Sequence, residues 1–184
     1  AFAMSQTISQ LQQVCEFLVA SLNGAIRQNN IDAWQERGKL IICNSDQGQD
    51  GYLVARWKHT AIIAIEKFPH KKVNPYNLFA MVCAFLIDSE WQRDEFGLDD
   101  PEIDIDLISD DNATVLIELE RMDDIELIPD DNGPVQFNGG RYYVSLAPIN
   151  VAENVDVDVV GRAWALWSPQ TNAKHSELST NYSF

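Results

Sequence analysis

Apolar and polar positions along this chain follow two periods. From Ser5 to Arg27, Ile8, Leu11, Val14, Cys15, Leu18, Val19, Leu22 and Ile26 recur at spacings of three and four, which predicts an amphipathic helix. Packing into a core is the stronger reading of such a face, and partner binding the weaker. Asn29-Asn30 ends the pattern. A second helix is predicted from Asn74 to Trp91. The Asn74 side chain can cap its start, and Pro75 takes the first helical position, where its missing N–H costs nothing. Leu78, Val82, Phe85 and Ile87 alternate with Phe79, Cys83 and Leu86, so apolar groups nearly encircle it. That predicts a helix covered on most sides, by a sheet and a further element, each large side chain contributing about 1.5–3 kcal/mol on burial. It is too short, and too closely flanked by charge, to span a bilayer.

Elsewhere the period is two. Lys39 to Cys43 predicts a short strand after Gly38, and the polar, glycine-containing Asn44 to Gly51 a turn or loop. Tyr52 to Phe68 is rich in β-branched and aromatic residues, with Leu53, Ala55 and Trp57 on one face and Val54, Arg56 and Lys58 on the other. Ala61 to Ile65 predicts a central strand, and Pro69 to Pro75 a loop into the second helix. Gln92 to Pro101 is acidic and predicted to lie at the surface. Ile103, Ile105 and Leu107 then face inward while Glu102, Asp104 and Asp106 face out, and Ser109 to Asn112 turns the chain. Val115, Ile117 and Leu119 face inward opposite Glu118 and Glu120, which completes an antiparallel hairpin. Ile125 to Ile128 predicts a further short strand and Asp130 to Gly133 a turn. Val135 to Phe137 and Arg141 to Leu146 flank Asn138-Gly139-Gly140, a hairpin signal. Val151 to Val159 alternates only in part.

Two helices and about seven strands, without regular βαβ alternation, predict an α+β fold: helices packed on a mostly antiparallel sheet, with a β-hairpin extension and a C-terminal arm. The expected division is one domain over residues 5–160 and an extension over 161–184, which holds Trp164 and Trp167 and then a polar stretch without period, its last part from Ala173 expected to be dispensable for folding. Ala1-Phe2-Ala3 before Met4 reads as a leftover of cloning, and no signal peptide or transmembrane run is present.

Charge changes the picture. The 184 residues carry 28 acids against 13 Lys and Arg, a net −15, which repels phosphate backbones and argues against nucleic-acid binding. Solubility is the plain explanation; a surface that meets a basic partner or keeps DNA from sticking is the sharper one. Cys15, Cys43 and Cys83 are odd in number and far apart, which fits buried, reduced thiols rather than disulfides or zinc. A calcium loop starting at Asp46 fails at Gly48 in position three and Trp57 in position twelve. His59, His70 and His175 are scattered, and no GxSxG, P-loop or GxGxxG occurs. Asp99-Asp100 is the kind of pair that 28 acids produce by chance. No catalytic residue, cofactor or metal is therefore expected.

Two surfaces remain as candidate sites. Antiparallel pairing that keeps the apolar sets inward puts Glu102, Asp104, Asp106, Glu118 and Glu120 on one acidic face, where like charges across strands cost up to about 1 kcal/mol per pair. The hairpin residues Val135, Phe137, Arg141, Tyr142 and Tyr143 form a candidate subunit interface. Tyr142 and Tyr143 point to opposite faces, so one can pack inward while the other faces out.

From about Leu40 to Ala147 the order of features resembles the phage tail completion protein R (GpR) family. The resemblance rests on Gly-Tyr-Leu-Val-Ala-Arg-Trp-Lys-His-Thr-Ala-Ile-Ile-Ala-Ile-Glu-Lys-Phe, on the helix ending Phe-Leu-Ile-Asp-Ser-Glu-Trp, and on Val-Leu-Ile-Glu-Leu-Glu-Arg-Met. The family's Leu-Thr-Glu-Arg-Val strand is similar to Leu119-Glu120-Arg121-Met122, which lacks the Thr. Gly-Gly-Arg-Tyr-Tyr-Val-Ser-Leu-Ala-Pro looks like the closing hairpin, and the segment after Pro148 departs from the family pattern. The resemblance implies a non-enzymatic virion protein, assembled in the bacterial host cytoplasm, that caps the head-proximal end of a contractile tail tube as a homo-oligomeric ring, often sixfold in proteins with that job. Implied partners are the tail tube and neck proteins, with no specific nucleic acid and no membrane. The alternative is an acidic protein-binding module such as a DNA mimic.

Overall fold

One strand, paired along both of its edges, organises the fold. Tyr52 to Phe68 runs unbroken for 17 residues and pairs antiparallel on both sides, with Ile31–Asp46 and with Ala113–Pro129. The structure, a computed structural model, describes residues 7–89 and 91–147; the predicted extension over 161–184 and the stretch Val151 to Val159 lie outside them. In chain order the elements are α1 (Gln10–Ser21), β1 (Ile31–Asp46), β2 (Tyr52–Phe68), α2 (Pro75–Asp88), the single turn α3 (Arg93–Phe96), β3 (Glu102–Leu107), β4 (Ala113–Pro129), β5 (Val135–Phe137) and β6 (Gly140–Val144). All six strands form one antiparallel sheet in the order β1-β2-β4-β6-β5. β2 occupies one edge of β4 along its length. β3 and β6 share the other edge, opposite Ala113–Glu118 and Leu127–Pro129.

This overturns the expected α+β arrangement of helices packed on a sheet. Strand residues outnumber helical ones by about two to one, and the sheet curls into an antiparallel half-barrel with two helices longer than a turn. The reason lies in strand length. β1 begins at Ile31 rather than Lys39, and β4 runs through Met122-Asp123-Asp124 where two separate strands were expected. Long twisted strands can wrap around their own core, where short ones would need a helical layer to cover them. Extra residues at Glu36 in β1 and Val54 in β2 shift the register, and such bulges bend a strand further.

The core face of the sheet carries Ala33, Ala61, Ile63, Ile65, Val115, Ile117 and Leu119, all at most 1% exposed. Leu11, Val14 and Leu18 of α1 and Leu78 and Val82 of α2 join the same cluster. Ser9 caps α1 by accepting from the Gln12 N–H at 3.1 Å, and Asn74 caps α2 by accepting from the Tyr76 N–H at 3.0 Å. α2 is buried on one side only. Leu78, Val82 and Leu86, spaced by four, are buried, whereas Tyr76 and Ile87 are about three-quarters exposed. The expectation of a helix covered on most sides fails because a curled single sheet offers it one face. Of the three cysteines, Cys15 alone is buried; Cys43 is half-buried and Cys83 exposed.

Candidate functional site: the outer face and the buried polar cluster

Strand register decides which acids share a face. Glu102 stands directly opposite Glu118, Asp104 opposite Leu116 and Asp106 opposite Thr114. The outer face of β3 and β4 therefore presents Glu102, Asp104, Asp106, Glu118 and Glu120 together. Glu118 feels the crowding: partial burial first, then Glu102, Glu36 and Asp104, push its carboxyl above the ordinary value, with Arg37 opposing. Glu120 is tied down. Its carboxylate lies 3.5 Å from Lys58 Nζ and accepts from the Asp99 N–H at 2.7 Å. Across the sheet the sign changes. Arg56 and Lys58 of β2 stand next to Ile41 and Lys39 of β1, and Arg37 follows two residues away on the same face. Arg56 pairs with Asp124 at 3.3 Å and stacks on the Phe96 ring.

The second predicted surface is the β5–β6 hairpin. Asn138 and Gly139 both have positive φ, the geometry of a tight hairpin turn that suits this pair of residues. Phe137 and Tyr142 meet the Tyr52 ring edge-on, with centroids 5.0 and 5.8 Å away, and Tyr142 is buried. Arg141 donates to the Gly133 carbonyl at 3.1 Å, which holds the hairpin base. Tyr143 lies on the opposite strand face, half-buried, beside the exposed Val144; Val135 is half-buried at the start of the ribbon.

Sequence reasoning missed a third feature. The inward alternation of β4 continues past Leu119 to Arg121 and Asp123, both buried despite their charge. Register places Arg121 opposite His59 and Asp123 opposite Trp57. The Trp57 indole N–H donates to Gln35 Oε1 at 3.1 Å, which turns the Gln35 amide nitrogen toward His59 Nε2, 3.1 Å away. His59 Nε2 therefore accepts, and its Nδ1 donates to the Trp57 carbonyl at 3.1 Å. This neutral tautomer agrees with a pKa lowered to about 4, chiefly by burial. Asp123 Oδ1 accepts from the Gln10 N–H at 2.8 Å, which fixes the start of α1. Its other oxygen lies 3.8 Å from His59 Nε2 and has no hydrogen-bond partner among the described residues, and burial raises its pKa to about 6. Arg121 is fully buried, with its guanidinium over the Trp91 ring at 5.6 Å and, among the described residues, no hydrogen bond to any of its three nitrogens. Burial lowers its pKa to about 10. The only signal for this cluster in the sequence was the unbroken period of two through Leu119, Arg121 and Asp123.

An open groove of about 980 Å³ lies beside α2, lined by residues that include Phe79, Leu86, Trp91 and Ile103. Among the described residues no three His, Cys, Asp or Glu side chains are grouped to hold a metal ion, and no helix is long and apolar enough to cross a membrane.

A curled sheet with a charged outer face and apolar residues exposed along its edges has surfaces suited to contact with other proteins. The chain belongs to the P2 phage tail completion protein R (GpR) family, whose profile matches residues 8–145. Its role is thus a structural one in a phage tail. It is also similar to an uncharacterized 19.2 kDa protein in the rep-hol intergenic region of Haemophilus phage HP1 (strain HP1c1). The two are 25% identical over 148 residues, which is 80% of this chain and 89% of that relative. No solved structure matches the chain.

Proposed function

We propose that this protein is a non-enzymatic subunit that completes the head-proximal end of a contractile tail, as a ring on the tail tube assembled in the host cytoplasm. The family match over residues 8–145 carries this reading. The chain's net charge of −15 supports it, because a ring on a DNA conduit works best when it repels the polyanion passing through. The Tyr143 side of the β5–β6 hairpin is proposed as one contact with a neighbouring subunit, since Phe137 and Tyr142 are occupied by Tyr52. We also retain the division into a single domain over residues 5–160 and an extension over 161–184, the latter beyond the family match.

The acidic stripe favours a second reading, a module that mimics DNA for a basic partner. Against it, Arg56 and Lys58 interrupt the negative face, and Glu120 is already neutralised by Lys58. Infection with a phage lacking this gene discriminates the two. A completion protein leaves full heads and unjoined tails by electron microscopy, and the purified protein restores joining when added to the lysate. Normal virions from the deletion phage overturn the proposal.

A further inference from the structure

β1 is the free margin on one side of the sheet, and β3 and β5 are the free margins on the other. From Gly38 to Ile42, β1 pairs with β2 on one edge and with no described strand on the other. β3 likewise pairs only with β4 among the described strands. Unpaired edges of this kind are templates for another chain, and proteins that must stay apart blunt them with short strands, bulges or inward-facing charge.

These two edges are instead matched to each other. On the core face, β1 exposes Leu40 and Ile42, at 58% and 86%, and β3 exposes Ile105 and Leu107, at 40% and 65%. On the outer face, β1 carries Arg37 and Lys39, with Glu36 at the bulge beside them, whereas β3 carries Glu102, Asp104 and Asp106. Apart from Ile41, 38% exposed on the outer face of β1, both edges thus put apolar groups on one face of the sheet and charge on the other, with opposite signs of charge. Laid side by side with the sheet continued, the edges bring apolar residues to apolar ones and bases to acids. Two β1 edges would set Arg37 and Lys39 against their own copies, and two β3 edges would oppose six acids.

We propose that the β1 edge of one subunit pairs with the β3 edge of the next, so that copies of this chain join head to tail. This rests on the ring reading above and names the contact that builds the ring. Different patches meet at each joint, so the contact repeats and closes into a ring when the rotation allows. The hairpin lies on the same side of β4 as β3, further along that strand.

The test is a charge exchange read by native mass and light scattering on the full chain, whose protomer is 20.8 kDa. One variant carries Arg37→Glu and Lys39→Glu, and the other Asp104→Lys and Asp106→Lys. Each alone is expected to stay folded by circular dichroism and run as a monomer. A 1:1 mixture is expected to recover the wild-type mass, because every joint then pairs a base-bearing edge with an acidic one. Ile42→Lys, at a position exposed in the monomer, is expected to dissociate the assembly independently. A mixture that stays monomeric, single variants that assemble like wild type, or assembly of one variant alone overturns the head-to-tail contact. If the wild type assembles but ignores all these substitutions, the ring stands and this contact falls. If the wild type is a monomer even on tail tubes, the ring falls with it.

Discussion

Replacing Asp123 by Asn is expected to stabilise the protein at neutral pH. The carboxyl is 5% exposed, one oxygen has no hydrogen-bond partner among the described residues, and the pKa is raised from 3.8 to about 6. A raised carboxyl pKa means that the native state favours the protonated form. Its contribution is fully present below 3.8 and is lost as pH rises through 6. About two pKa units correspond to about 3 kcal/mol. Asn is the neutral isostere and can still accept from the Gln10 N–H. Asp123→Asn should therefore exceed wild type by up to about 3 kcal/mol at pH 7.5 and match it near pH 4. His59 works in the other direction. Its pKa falls from 6.5 to about 4, so its stabilising contribution is present above 6.5 and is lost as pH falls toward 4. The two dependences oppose each other in the wild type, and the Asn variant should expose the His59 slope as a new acid lability. Urea unfolding of both proteins from pH 4 to 8 measures this. A variant less stable than wild type at pH 7.5 would refute the reasoning and show Asp123 to be an ionised counterion for Arg121.

Leu78→Ala should cost about 2–5 kcal/mol in chemical unfolding, and Ile87→Ala less than about 0.5 kcal/mol, because α2 is buried on one side only. Gly38→Ala should cost about 1–3 kcal/mol: a Cβ there would lie 2.5 Å from the Lys58 carbonyl oxygen and 2.6 Å from the Trp57 ring. A shift in tryptophan fluorescence should accompany the lower melting temperature. Tyr143→Ser should lower the mass seen by light scattering without changing the melting curve, whereas Tyr142→Ser should lower the melting temperature by removing the packing on Tyr52.

The parts of the fold that could be read in advance were those where one rule acted alone. Asn74 and Pro75 marked a helix start by cap and ring chemistry, and Asn138-Gly139 marked a hairpin by its need for positive φ. The outward set of Glu102, Asp104, Asp106, Glu118 and Glu120 followed from the period of two. The true length of β1 was hidden by the bulge at Glu36, which breaks alternation between Gln35 and Arg37. The length of β4 was hidden by charge. Arg121 and Asp123 occupy inward positions, so a rule that places charge outside split one strand into two and left room for a helical layer. α2 misled in the opposite sense, since its apolar residues all round implied a burial that one face of a curled sheet does not provide. The pairing of His59 with Arg121 and of Trp57 with Asp123 depends on register between distant strands, which local pattern does not carry.

A completion role requires that the protein meet the tube at its end. Purified tail tubes mixed with excess protein and imaged by cryo-electron microscopy test that directly. The expected result is a single ring of density at one end of each tube, always the end that joins the head. Density along the sides, or tube ends left bare at saturating protein, would contradict a completion role.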